Sequence, residues 1–155
     1  MDFDKVLALI DAMNREGVEY VTFGAIALAV HGLVRATEDA DFFINPSEEN
    51  VARLRRALRS VWNDPNIDEI SAEELSGDYP AVSYWPAGEN FGIDFLARLG
   101  EAYAYDTVSA EDSSLDGMPI RVVTARTLYE MKRDTVRWKD KIDAAALRDK
   151  FFSEE

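Results

Sequence analysis

No cysteine occurs anywhere in the 155 residues, which excludes disulfides and thiolate chemistry and suits a cytoplasmic protein. Histidine is nearly as scarce, with His31 alone. No apolar run approaches the roughly 20 residues that a membrane span needs. The start Met1-Asp2-Phe3-Asp4-Lys5 lacks the basic opening and apolar core of a secretory leader, so no membrane association is expected. Basic residues are outnumbered, 17 Lys and Arg against 30 Asp and Glu, giving a formal charge of −13. Polyanion binding draws on cationic side chains for most of its non-specific affinity, so extensive DNA or RNA binding is not expected.

What is present is an ordinary globular composition, 47% hydrophobic and 30% charged, long enough for one domain over 1–155 with a real core. Phe3, Val6, Leu7, Ile10 and Met13 recur at helical spacing behind Asp2 and before Gly17. Residues 18–23 read as a buried strand, Gly24 as a tight turn, 26–30 as a buried small-sided helix ended by Gly32, and 35–44 as a second strand. Ser47 caps a helix with the stripe Val51, Leu54, Leu58, Val61 and Trp62, opposite Arg53, Arg55, Arg56 and Arg59. Those arginines read as a solvated face. Residues 63–80 form a connector with a short helical piece at 71–75. A strand pair follows at 81–85 and 90–96, and 97–114 is weakly patterned. Asp116-Gly117 turns a hairpin between 113–115 and 119–123. Thr124 caps a helix carrying Leu128, Met131 and Val136, and 141–152 forms a last helix with Ile142, Ala145, Ala146, Leu147 and Phe151, its N-cap expected at Asp140. This order predicts an α/β (α+β) domain, a mixed β-sheet flanked by helices.

Three carboxylates on strands carry the chemistry. Asp39 and Asp41 are one residue apart, so on a strand they face the same way, with Ala40, Phe42 and Ile44 on the other face. Such a pair is either a divalent-cation site or a solvated strand edge. Asp94 lies within an otherwise apolar strand, where a lone carboxylate is costly without a partner. Magnesium prefers a few carboxylates plus substrate phosphates, and paired ions can clamp the attacking and leaving oxygens of a phosphoryl displacement. Arg35 reads either as a phosphate ligand or as a partner of Glu38 or Asp39. His31 reads as a packed helix-end residue, and Trp85 and Trp138 as core, although either could stack a base.

The segment FGAIALAVHGLVRATEDADFFI resembles the opening motif of the polymerase-β-like nucleotidyltransferase superfamily, especially the small bacterial branch that includes AbiEii-type toxins. The shared order is Gly24, His31-Gly32, Arg35, Thr37, Asp39 and Asp41, then Ile93-Asp94-Phe95, then Lys132, Arg137, Lys139, Asp140 and Asp143. The resemblance implies transfer of a nucleoside monophosphate from an NTP to an acceptor (RNA, protein or small molecule), with Mg2+ or Mn2+ as cofactor. It implies metal ligation by Asp39, Asp41 and Asp94, with Asp94 also activating the acceptor. Gly24, Ala25, Arg35, Thr37, Lys132, Arg137 and Lys139 would contact the nucleotide, and a cognate antitoxin or toxin is the implied protein partner. Ala25 departs from the Gly or Ser usual at the second turn position. That leaves a second expectation open: a catalytically degenerate member that binds a nucleotide or a protein as a regulatory domain. A third is a plain interaction domain with an acidic docking surface.

Overall fold

The computed structural model describes residues 1–34 and 39–154. Helix α1 (Phe3–Glu16) starts where the Asp2 carboxylate accepts the Lys5 N–H and stops at Gly17, whose left-handed φ of 71° closes the helix. Strand β1 (Tyr20–Phe23) follows and leads directly into α2 (Gly24–Val30), so Gly24 is the first helical residue as well as the turn. Strand β2 (Asp39–Ile44) then returns antiparallel to β1. The part of the expected second strand before Asp39 lies outside the described residues.

Ser47 caps α3 (Glu48–Val61) as its sequence predicts. The connector holds a 3-10 turn, Pro65–Glu69, and α4 (Ala72–Leu75) before β3 (Ala81–Tyr84) and β4 (Gly92–Leu96). A two-residue pair, β5 (Arg98–Leu99) and β6 (Tyr103–Ala104), precedes the hairpin β7 (Ala110–Leu115) and β8 (Met118–Val123). Helices α5 (Ala125–Arg133) and α6 (Trp138–Phe151) complete the chain.

The main sheet runs β3-β4-β2-β1-β8-β7. It is mixed: β2 with β4 and β1 with β8 are parallel, the other neighbours antiparallel. One face packs Ala40, Phe42, Ile44, Ile93 and Phe95 against the apolar stripes of α1 and α3. The other packs Val21, Phe23, Phe43 and Val122 against Ala27, Leu28, Leu128 and Leu147 of α2, α5 and α6. Alternation along β2 therefore leaves Asp39 and Asp41 on the α5/α6 face, half-buried beside buried Ala40 and Phe42. Buried Asn50 ties α3 to the base of β1 and β2: it accepts from the Glu19 N–H at 2.7 Å and donates to the Glu19 and Asn45 carbonyls.

Several expectations are corrected. Val136 is in the loop between α5 and α6 and is 96% exposed, not on the apolar stripe. Trp85 and Trp138 are exposed rather than core. On α6 the buried residues are Asp143, Ala144 and Leu147, while Ile142 and Phe151 face solvent. Asp140 is not the N-cap; Arg137 holds that position without a side-chain cap, and Asp140 sits in the first turn with its carboxylate used elsewhere.

Candidate active site

Strand register builds the site. Asp41 on β2 stands directly opposite Asp94 on the parallel strand β4, and Asp94 in turn opposite Ser83 on antiparallel β3. One step along, Asp39 pairs with Gly92. Cross-strand partners share a face, so the three aspartates form one acidic patch. Asp41 is the most enclosed. Burial, then the charges of Asp94 and Asp39 and its hydrogen bond with Asp94, push its carboxyl up to about 7, against a weaker opposing pull from Lys132. Asp94 is not left alone on its apolar strand: the Ser83 hydroxyl donates to its Oδ1 at 2.6 Å.

Two glycines make room for the carboxylates. A Cβ on Gly24, at φ +67°, would lie 2.2 Å from Asp41 Oδ2, so the start of α2 can touch β2 only without a side chain. A Cβ on Gly92 would lie 2.9 Å from the Trp85 indole and 3.1 Å from Asp39 Oδ1. The exposed indole is therefore seated over Gly92 beside Asp39.

The opposite wall comes from the break between α5 and α6. Lys132, at the end of α5, donates to Asp143 Oδ2 at 2.9 Å and to Asp140 Oδ1 at 3.2 Å. Thr135 donates to Asp140 Oδ2 at 3.0 Å. Burial works against ionised Asp140, but the Thr135 hydrogen bond and the Lys132 charge outweigh it and hold its carboxyl below the usual range. The interruption between helices brings Lys132 and Arg137 to one cleft, as their five-residue separation requires. That cleft, about 420 Å3, is lined by Gly24, Asp41, Asp94, Lys132, Arg137 and Asp140 among others. A contiguous opening adds Ala25, Asp39 and Lys139.

Of the residues singled out in the sequence, Asp39, Asp41, Asp94, Gly24, Ala25, Lys132, Arg137 and Lys139 thus border one region. Arg35 and Thr37 lie outside the described residues. Ser83 was not among them. His31 keeps the structural role expected for it, its Nε2 being 2.9 Å from the Val123 carbonyl oxygen. The arginines of α3 are engaged locally: Arg53 with Glu49, Arg56 with Glu16, Arg59 with Asp68, and Arg55 with the Ile70 carbonyl. Among the described residues, no group of three or more Asp, Glu, His or Cys side chains is placed so that it could hold a metal ion by itself.

This mixed sheet with its flanking helices is a fold shared with solved nucleotidyltransferase structures. The antibiotic-resistance factor ANT(2″)-Ia, in a crystal structure with adenylyl-2″-tobramycin, matches at a TM-score of 0.61 and 11% identity, over 98% of this chain and 91% of that one. A nucleotidyltransferase-like protein from Thermotoga maritima matches at 0.56 and 17% identity, over 99% and 94% of the two chains. An antigenic nucleotidyltransferase-like protein from Paracoccidioides brasiliensis matches at 0.58 and 15% identity, over 92% and 74%. The family described as Nucleotidyl transferase AbiEii toxin, Type IV TA system, matches residues 23–152, and the chain belongs to it. No curated protein matches the chain.

Proposed function

We propose that residues 1–155 form a single nucleotidyltransferase domain that moves a nucleoside monophosphate from an NTP to an acceptor hydroxyl. The observation that carries this reading is the register of β2 and β4, which sets Asp41 against Asp94 with Asp39 one step away, beneath a wall bearing Lys132 and Arg137. The carboxylates suit a hard divalent cation: all donors are oxygens, and the burial that raises Asp41, with the added repulsion of Asp94 and Asp39, is a cost that such a cation would offset. Asp39, Asp41 and Asp94 would hold Mg2+ or Mn2+, with substrate phosphate completing the ligand set. Bound there, the ion would polarise the α-phosphate and offset charge on the leaving oxygen.

The chain's own groups supply the rest. Asp94 takes the proton of the acceptor hydroxyl as its oxygen bonds to the α-phosphorus. The bond from that phosphorus to the α–β bridging oxygen breaks, and pyrophosphate leaves with the electron pair. Arg137 and Lys139, exposed at the cleft mouth, meet the β- and γ-phosphates, and Gly24 and Ala25 line the same side. Lys132, held by Asp140 and Asp143, stands beside Asp41. Electrostatic stabilisation of this kind carries most of phosphoryl-type catalysis.

The paired arginines of α3 and the charge of −13 disfavour a polyanionic RNA acceptor. A small molecule or a protein hydroxyl suits the surface better. The family description, a toxin of a Type IV TA system, supports a cognate antitoxin as protein partner and is in keeping with a cytoplasmic setting. Calorimetric titration with ATP, GTP, CTP and UTP in magnesium tests the reading. It expects one NTP to bind only with the metal and not to bind Asp39→Ala/Asp41→Ala; folded wild-type protein that binds none of the four refutes it.

A further inference from the structure

The three-strand row Asp41–Asp94–Ser83 continues past the carboxylates to a hydroxyl on the edge strand β3. The Ser83 Oγ to Asp94 Oδ1 distance of 2.6 Å is in the range of a charge-assisted O–H···O⁻ bond. A carboxylate on a strand has a broad terminal torsion and can turn its plane freely. Here one oxygen is fixed from the β3 side, so the other is directed back across β4 toward Asp41 and the cleft. Ser83 is otherwise on an exposed stretch of a short edge strand, where packing makes no demand for a hydroxyl.

We propose that Ser83 is a positioning residue, which holds Asp94 in the orientation that presents its second oxygen to a divalent cation and thereby sets the metal affinity of the site. The inference rests on the nucleotidyl-transfer reading above. Groups that orient a metal-ligating side chain typically change metal affinity by about 10–100-fold when removed. The hydroxyl acts through Asp94 and needs no contact with substrate.

The test is Mn2+ binding, read from the loss of the free-ion paramagnetic resonance signal, with and without a non-hydrolysable ATP analogue. The proteins are wild type, Ser83→Ala, Ser83→Val and Ser83→Thr. Val keeps strand propensity without the hydroxyl and Thr restores the hydroxyl, so folding and hydrogen bonding are separated. The expected result is a roughly 10–100-fold loss of affinity in both Ala and Val, with Thr recovering most of it and melting temperatures unchanged. Wild-type affinity in Ala and Val overturns the proposal and leaves the transferase reading intact. Loss in Thr as well as Ala also overturns it, since the effect would then come from packing. Absence of Mn2+ binding by the wild type under both conditions overturns this inference together with the metal-dependent reading beneath it.

Discussion

Asp41→Asn separates what stabilises this protein from what its site requires. In the metal-free fold the Asp41 carboxyl stands at about 7 instead of 3.8 because it is enclosed and flanked by Asp94 and Asp39. A group whose pKa rises on folding contributes stability that is whole below its unfolded value and is lost as the pH climbs through its folded value. The loss therefore runs from about pH 4 to about pH 7. Each unit of difference is worth about 1.4 kcal/mol, so the full cost of ionised Asp41 is on the order of 4 kcal/mol, of which about 2 kcal/mol develops between pH 5.5 and 8. Asn has the shape of the protonated acid and can donate to Asp94 as it does, without the titration. Asp41→Asn is thus expected to be more stable than wild type in urea melts without metal, and its advantage to widen by about 2 kcal/mol from pH 5.5 to 8.5. For a chain of this length that corresponds to roughly 4–8 °C in melting temperature. A difference that stays constant with pH, or a variant less stable than wild type at pH 8.5, would show that ionised Asp41 carries no such cost.

Three further changes address other parts of the argument. Gly24→Ala places a methyl 2.2 Å from Asp41 Oδ2 at a left-handed φ. It should abolish magnesium-dependent NTP binding in calorimetry and cost at least about 1 kcal/mol of stability. The Thr22 hydroxyl is fully buried with no hydrogen-bond partner among the described residues, so Thr22→Val is expected to stabilise the fold by about 1 kcal/mol in a urea melt. Lys132→Met removes the cation that Asp140 and Asp143 share, with an expected loss of about 3 kcal/mol. Adding Asp143→Asn should recover part of that loss, and a double variant no more stable than Lys132→Met would count against the pairing argument.

Much of the site was legible because its information is local. Alternation alone put Asp39 and Asp41 on one face of β2, and the apolar run around Asp94 marked it as needing a partner. The partner was within reach of the sequence too. A hairpin over 81–96 centred between Gly88 and Glu89 sets Ser83 opposite Asp94, as the observed register does, but serine on a short edge strand carries no hydropathy signal. Trp85 and Trp138 were misplaced because aromatic residues are read as core. The indole of Trp85 instead sits over Gly92 on the carboxylate face, a long-range relation that composition does not encode. Likewise Asp140 has the sequence of a helix cap, yet Lys132 and Thr135 claim its oxygens and the helix begins two residues earlier. Only the last three residues of strand β7, 113–115, were legible as a hairpin arm, because Glu111, Asp112, Ser113 and Ser114 are exposed along the sheet's outer edge and lack a period-2 pattern.

Radiolabel position decides whether these carboxylates transfer a nucleoside monophosphate. The protein is incubated with magnesium, a cell extract as the acceptor pool, and each NTP labelled either at the α- or at the γ-phosphate. The expected result is label on an acceptor from α-labelled but not γ-labelled NTP, release of pyrophosphate, and loss of both in Asp39→Ala/Asp41→Ala. Label arriving from the γ-position, or α-transfer undiminished in the double variant, would contradict it.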